Sequence, residues 1–203
     1  PDGRMVHYRP LNGRIEFAFA MPFGNGLQGP VFVPFNTYQP SLNAGDANNF
    51  VANWVSVVNV NQSRESGTLT FYGQDGSVLG SQTHTLERLS RVDVSAHQFG
   101  KSIVGLVQWQ PTLPGTRFQV RNIRYYYDNP GSQNVFDSAF QLEAVRPSNK
   151  TITVPIDTRD GSSIVEIVNA DATTTTFDMT IYNAAGTPVQ TIPASIAPHA
   201  SIH

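Results

Sequence analysis

The sequence predicts an all-β protein made of two tandem antiparallel β-sandwich units, of which the second is truncated. The stretch at 54–76 recurs without a gap at 164–186, and Tyr72 and its counterpart Tyr182 lie 110 positions apart. Large apolar residues alternate with small or polar ones in short runs bounded by glycine, proline and asparagine, which is typical of half-buried strands. No stretch shows sustained helical periodicity. Together these observations favour two similar units built from strands.

Composition limits the classes of function. A chain of 203 residues has room for one large domain or two small ones, and the repeat favours two. The absence of cysteine excludes a disulfide framework, thiolate zinc sites and a cysteine nucleophile. A net charge of −2 argues against nucleic acid as a partner. No apolar run has the length that spans a bilayer, so we expect no membrane insertion.

The first part of the chain reads as strands separated by turns. Residues 1–9 predict a turn followed by a short strand, and Asn12-Gly13 marks the next turn. The alternation at 15–21 predicts a second strand, whereas the glycine and proline density at 22–30 predicts a loop. The run at 31–35 is a short strand whose Pro34 places it at a sheet edge, because proline cannot donate to a ladder.

A second alignment, at a shift of 121, extends the repeat towards the N-terminus. Phe19 matches Phe140, and 31–35 matches 152–156. The two shifts, 110 and 121 positions, differ because the first copy carries the longer loop, at 36–53. Loops tolerate such polar insertions, and the sequence does not assign this one a role.

The central strands keep their inward faces in both copies. Leu69 and Phe71 face one way, and their counterparts Met179 and Ile181 keep the same phase. The glycine-containing turns at 74–76 and 184–186 follow these strands and predict hairpins.

The first copy continues beyond the point where the second stops. The stretches 103–109 and 117–127 predict two strands whose hairpin closes the sandwich. We therefore assign 1–130 to the first unit and 131–203 to an incomplete second unit. Residues 1–9 resemble the end of 117–127, as if they were the last strand of a preceding copy. The chain is thus expected to be a slice of a longer tandem array.

Four structural motifs carry a family resemblance. They are the Val-Pro-Phe opening at 33–35, the strand from Trp54 to Asn59, the hairpin from Tyr72 to Gly76, and the segment at 99–109. The chain resembles the tandem immunoglobulin-like repeats of bacterial exported and surface proteins. The resemblance implies a stalk, spacer, adhesion or binding unit that is extracellular or at the cell surface, with the periplasm as the alternative. The second copy departs from the pattern, since Ile164 stands where the first has Trp54.

No group of residues predicts a reaction centre. The histidines are not at metal-ligand spacing, and no GxSxG nucleophile motif occurs. Asp46 lies in a polar loop that lacks the spacing of a calcium loop. Asp157 and Asp160 are better explained as turn formers. We therefore expect no catalytic residue, no metal and no cofactor, and a protein that is not an enzyme.

Aromatic and arginine side chains on two strands form the predicted binding surface. Exposed rings beside guanidinium groups stack on sugars or bind an acidic partner, whereas the alternative is ordinary cross-strand packing. Alternation places Arg121, Tyr125 and Tyr127 on one face, and Arg124 with Tyr126 on the other. The candidate ligand-binding residues are Trp54, Trp109, Arg121, Arg124, Tyr125, Tyr126 and Tyr127.

These observations favour a non-enzymatic structural or adhesion module whose partner is a protein or glycan at a cell surface. A carbohydrate-binding module and an accessory domain of a secreted hydrolase remain the alternatives. An incomplete second sandwich leaves an open sheet edge. We expect the strand at 4–9, or another copy of the chain, to cover it.

Overall fold

The computed structural model describes residues 4–11, 14–22, 24–37, 50–100, 102–127, 136–156 and 163–203. The strands in these ranges are β1 (Arg4–Leu11), β2 (Arg14–Pro22), β3 (Leu27–Gln28), β4 (Val31–Asn36), β5 (Phe50–Asn59), β6 (Glu65–Tyr72), β7 (Val78–Leu86), β8 (Arg91–Ser95), β9 (Val104–Pro111), β10 (Arg117–Tyr127), β11 (Phe136–Glu143), β12 (Ile167–Val168), β13 (Thr175–Tyr182), β14 (Pro188–Ile196) and β15 (Ser201–Ile202). A 3-10 turn, Ala96–Phe99, follows β8. The all-β class predicted from the sequence is confirmed.

The first unit is a β-sandwich of two antiparallel sheets. The front sheet has the order β11-β10-β5-β8, and β3 also pairs with β10. The first sandwich therefore includes β11, which lies beyond the boundary expected at residue 130. The back sheet has the order β4-β9-β6-β7, which places β4, with its Pro34, at an edge as expected. Inward side chains of both sheets form one apolar core. Leu69 and Phe71 lie in this core with no exposed surface, so the inward phase predicted for their strand is confirmed.

Two neighbouring strands do not form the hairpin that the sequence suggested. β9 pairs with β4 and β6 in the back sheet, whereas β10 pairs with β5 and β11 in the front sheet. The connection at 112–116 therefore crosses from one sheet to the other. Trp109 and Phe118, on either side of this crossing, meet edge to face in the core with ring centroids 4.9 Å apart. The loop expected at 22–30 also contains the short strand β3.

The repeated stretches make the same hydrogen bonds. The amide of Asn59 donates to the carbonyls of Ser63, Leu86 and Glu87 at 2.9, 3.1 and 3.0 Å. The amide of Asn169 donates to the carbonyls at the equivalent positions, 173, 196 and 197, at 2.8, 3.1 and 3.0 Å. β12 pairs with β15 as β5 pairs with β8, and β13 pairs with β14 as β6 pairs with β7. The turns between the paired hairpin strands also match, with Gly76 at φ 84° and Gly186 at φ 76°.

The strand pair at the N-terminus matches a pair further along the chain. β1 pairs with β2 with a register shift at Arg9/Pro10, and β10 pairs with β11 with a shift at Tyr126/Tyr127. Phe19 lies opposite His7, and its counterpart Phe140 lies opposite Arg124. The backbone of β1 thus has the same relation to β2 as that of β10 has to β11.

The equivalent strands differ in burial. Leu69 is 0% exposed, whereas Met179 at the equivalent ladder position is half-buried. The reason is packing, because β9 and the front sheet cover Leu69 and the described residues place no such layer over Met179. The local pairing is therefore shared, and the surroundings are not.

Candidate functional site

Trp109 is a structural core residue, which corrects its assignment to the binding surface. It is 0% exposed and faces Gly67, where a Cβ would overlap the indole ring. Alternation places it on the inward face of β9, opposite Leu69 of β6. No face of the ring is available to stack on a sugar.

The outer face of the front sheet carries three of the predicted residues, and we call Trp54, Arg121 and Tyr125 the aromatic face. Trp54 is 38% exposed and lies opposite Ile123 in the ladder, while Tyr125 lies opposite Ala52. The ring of His97 meets Trp54 edge to face at 5.2 Å. This contact fixes the indole orientation and leaves part of it open to solvent.

Arg121 is buried and does not present an exposed head group, which corrects its assignment to an exposed binding surface. It is 9% exposed, and its Nε lies 3.8 Å from Glu143 Oε1. Burial raises the pKa of Glu143, and the charge of Arg121 partly offsets that rise. The side chain of Tyr127 lies outside the described residues.

Arg124 lies on the inner face and is engaged within the chain, which corrects its assignment as a ligand-binding residue. It is 3% exposed. Its Nη1 donates to Glu166 Oε1 at 3.1 Å and its Nη2 donates to Oε2 at 2.7 Å. The guanidinium also lies 5.3 Å from the ring centroid of Phe140, on which Tyr126 stacks at 5.8 Å. Arg124 and Tyr126 therefore belong to an internal contact.

Glu166 is held in its charged form at this contact. Burial by itself raises the pKa of Glu166. The hydrogen bonds and charge of Arg124, together with Asn36 Nδ2 and the charge of His203, outweigh the burial and leave the pKa of Glu166 below its ordinary value. A bidentate pair of this geometry favours the ionised carboxylate.

An apolar contact lies beside the ion pair. Phe32, Tyr72 and Leu106 form a cluster on the outer face of the back sheet, against which Val168 and Ala170 pack. The ring of His199 stacks on Tyr72 at 4.5 Å. We call this cluster together with the Arg124–Glu166 pair the joint, because it connects the first unit to the segments around β12 and β15.

Sequence reasoning missed the joint, although the repeat contained a signal for it. Glu166 has Ser56 as its counterpart, and His199 has Leu89. Both are positions where the second copy replaces a residue by one of different charge or polarity. Such departures mark residues that serve something other than the shared scaffold.

Buried polar side chains at one end of the sandwich bond to each other. Asn53 Nδ2 donates to the carbonyl of Asn36 at 2.9 Å, and Asn122 Nδ2 donates to Asn53 Oδ1 at 2.8 Å. Among the described residues, no group of histidine and carboxylate side chains is arranged to hold a metal ion. Asp46, Asp157 and Asp160 lie outside those residues.

The described residues form two grooves. One of about 210 Å³ lies between β3, β10 and β11, and one of about 470 Å³ lies along β13 and β14. None of the described helical segments has the length and apolarity to cross a membrane.

No family model and no curated protein matches this chain. A crystal structure of Thermotoga maritima 1070 is similar with a TM-score of 0.41 and 12% identity, covering 58% of this chain and 93% of that chain. A structural similarity this weak supports no conclusion about function.

Proposed function

We propose that the chain is a non-enzymatic structural or adhesion module of an exported or cell-surface protein. Two units of sandwich type follow one another in it, and the joint sets the angle between them. The observation that supports this proposal most directly is the buried, bidentate Arg124–Glu166 pair. A spacer transmits distance only when its units keep a fixed relation, because flexible linkers contract to a random coil.

The connection between the units is itself part of a sheet, which supports the same proposal. β11 extends the front sheet of the first unit by pairing with β10. Val145 then exchanges two backbone hydrogen bonds of 2.8 Å with Phe32 of the back sheet. Domains joined by a free linker move relative to each other by default. Here the connecting segment is bonded to both sheets.

Small-angle scattering at low protein concentration tests whether the units form a rigid body. We expect a single compact distance distribution for the wild type and a broader one for the double variant Arg124→Met, Glu166→Met. The exposed pair Arg91–Asp93 provides the control, since Arg91→Met should leave the curve unchanged. A wild type as flexible as the double variant would contradict the spacer proposal.

One observation favours carbohydrate binding as a second candidate. Trp54 and Tyr125 lie on one open face, and Trp54 is partly exposed while Trp109 is buried. Because the chain has two tryptophans, a fluorescence change caused by a glycan should come from Trp54. The third expectation, an accessory domain of a secreted hydrolase, stays a prediction.

A glycan array followed by fluorescence titration tests this second candidate. Tyr125→Ala should weaken binding by at least about tenfold, given the usual energy of an aromatic contact. Tyr182, which is 58% exposed on β13, serves as the control, and Tyr182→Ala should bind as the wild type does. The absence of binding to any glycan on the array would contradict the carbohydrate-binding hypothesis.

A further inference from the structure

A series of hydrogen bonds connects the aromatic face to the joint. It begins at His97, whose ring meets Trp54 edge to face at 5.2 Å. The Nδ1 atom of His97 lies 3.2 Å from the backbone nitrogen of Asn53 and 3.0 Å from its backbone oxygen. Asn53 precedes Trp54 in β5, so the side chains of these two neighbours lie on opposite faces of the front sheet. His97 therefore contacts both the outer ring and the backbone of an inner residue.

Asn53 connects the front sheet to the back sheet through the interior. Its Nδ2 donates to the backbone oxygen of Asn36 at 2.9 Å, and its Oδ1 accepts from the backbone nitrogen of Asn36 at 3.2 Å. The same Oδ1 also accepts from Asn122 Nδ2 at 2.8 Å. Both Asn53 and Asn122 are 0% exposed. Because water does not reach these amides, Asn53 cannot change its rotamer without leaving buried polar groups unpaired.

Asn36 completes the connection to the joint. Its backbone bonds to Asn53, while its side-chain Nδ2 donates to Glu166 Oε1. The same carboxylate oxygen accepts from Arg124 Nη1 at 3.1 Å. Asn36 is the last residue of β4, and it is half-buried. One residue thus contacts both the buried amide behind Trp54 and the ion pair of the joint.

We propose that this network couples the orientation of Trp54 to the closure of the joint. When the Arg124–Glu166 pair breaks, Asn36 loses its acceptor and the amides behind Trp54 rearrange, because hydrogen bonds in one buried network strengthen one another. A ligand that stacks on Trp54 and the closure of the joint therefore favour each other, since coupling between two sites is reciprocal. The inference rests on the proposed function for the role of the joint and for the class of ligand, a carbohydrate.

Acrylamide quenching of tryptophan fluorescence tests the coupling without a glycan. Trp109 is 0% exposed and Trp54 is 38% exposed, so the quenched signal comes from Trp54. Glu166→Gln should raise the quenching constant of Trp54, because the loss of the ion pair loosens the network behind the indole. Glu87 forms an ion pair on the surface and is the control, since Glu87→Gln should be quenched as the wild type is.

A double-mutant cycle assigns the effect to Asn36. Asn36→Ala removes the donor to Glu166 and leaves the backbone hydrogen bonds to Asn53 in place. In this background, Glu166→Gln should no longer change the quenching constant of Trp54. The proposal is overturned if Glu166→Gln has no effect in the wild type, or if it has the same effect in the Asn36→Ala background.

Urea unfolding measures the same coupling from the aromatic face. His97→Ala removes the ring between Trp54 and Asn53, and the variant should fold because His97 is only half-buried in its 3-10 turn. Glu166→Gln raises the unfolding equilibrium constant, and the factor of this increase should be at least about fivefold smaller in the His97→Ala background, the lower limit of the usual coupling between sites. Equal factors in the two backgrounds would overturn the coupling.

These measurements separate failure of the coupling from failure of the proposed function. If both cycles show coupling and the glycan array shows no binding, the coupling is supported and the carbohydrate candidate is wrong. If neither cycle shows coupling and scattering shows a rigid wild type, the spacer proposal is supported and the coupling is overturned.

Discussion

Asn59 shows how one buried amide organises the end of a sandwich strand. Its Nδ2 reaches three carbonyls, and its Oδ1 accepts from the backbone amide of Asn61 at 2.9 Å. The side chain is 0% exposed, so these groups have no access to water. Asn169 repeats the arrangement with Asp171 as the donor to Oδ1.

Asn59→Ala should lower the free energy of unfolding by about 2–3 kcal/mol, because buried carbonyls would lose their donors. Urea denaturation followed by circular dichroism measures the change. The exposed Gln62 in the same loop is the control, and Gln62→Ala should stay within about 0.5 kcal/mol of the wild type. Equal stability of the two variants would contradict the structural role of Asn59.

The Arg124–Glu166 pair should make the free energy of unfolding depend on pH. Because the pKa of Glu166 is lowered in the folded protein, its contribution is complete above the unfolded value of about 4.3 and is lost as the pH falls through the folded pKa. His84, whose pKa burial lowers, adds a loss of the same sign that begins near pH 6.5. Glu166→Gln leaves the His84 contribution in place.

Urea unfolding midpoints measured at pH 7 and at pH 3 test whether the charge of Glu166 contributes to stability. Glu166→Gln should be less stable than the wild type at pH 7 by about 3 kcal/mol, since Arg124 would remain buried without its partner charge. The difference should shrink at pH 3, because the carboxyl of Glu166 is then protonated in the unfolded chain and folding must displace that proton. A constant difference at both pH values would show that the charge of Glu166 contributes nothing.

At the scale of elements, two equivalent turns have different surroundings. The turn after β6 contacts the second unit, since the carbonyl of Gln74 accepts from the amide of Ser201 at 2.9 Å. A Cβ on Gly76 would overlap the carbonyl oxygen of Pro198, whereas one on Gly186 would meet nothing within 4 Å. The first turn belongs to the joint, and the second is a free hairpin end.

Gly186→Ala should cost about 1 kcal/mol, the usual penalty for a side chain at positive φ. Gly76→Ala should cost about 2 kcal/mol more, because the added methyl group must also push the two units apart. Thermal unfolding measures both variants. If they are equally destabilised, the turn after β6 does not support the joint.

The positions of β9 and β10 show why adjacent strands in sequence need not pair. Both stretches were predictable as strands from their alternation. The loop between them has no Asn-Gly or Asp-Gly pair to fix a two-residue hairpin turn, and its residues lie between Pro111 and Arg117. Whether such a loop closes a hairpin or crosses between sheets depends on which face the flanking strands bury.

At the scale of the whole molecule, stability should be unequal between the units. The core of the first unit includes residues of both sheets with no exposed surface. In the second unit, the inward positions of β13 are half-buried. A two-stranded hairpin without a covering layer is marginally stable.

Hydrogen exchange at low protein concentration should therefore show two classes of amide. The paired amides of β9 should exchange at least about 100-fold more slowly than those of β13, because β9 opens only with the whole sandwich. Uniform protection across both units would contradict this division.

The sequence by itself determined most of the strands, the inward phase of Leu69 and Phe71, and the equivalence of Asn59 with Asn169, because alternation, turn residues and repetition are local properties of the chain. Only the tertiary structure decided that Trp109 is buried, that β9 and β10 lie in different sheets, and that Arg124 pairs with Glu166. These outcomes depend on which sheet each strand joins. That choice is made by packing between residues far apart in sequence, which a local pattern does not encode.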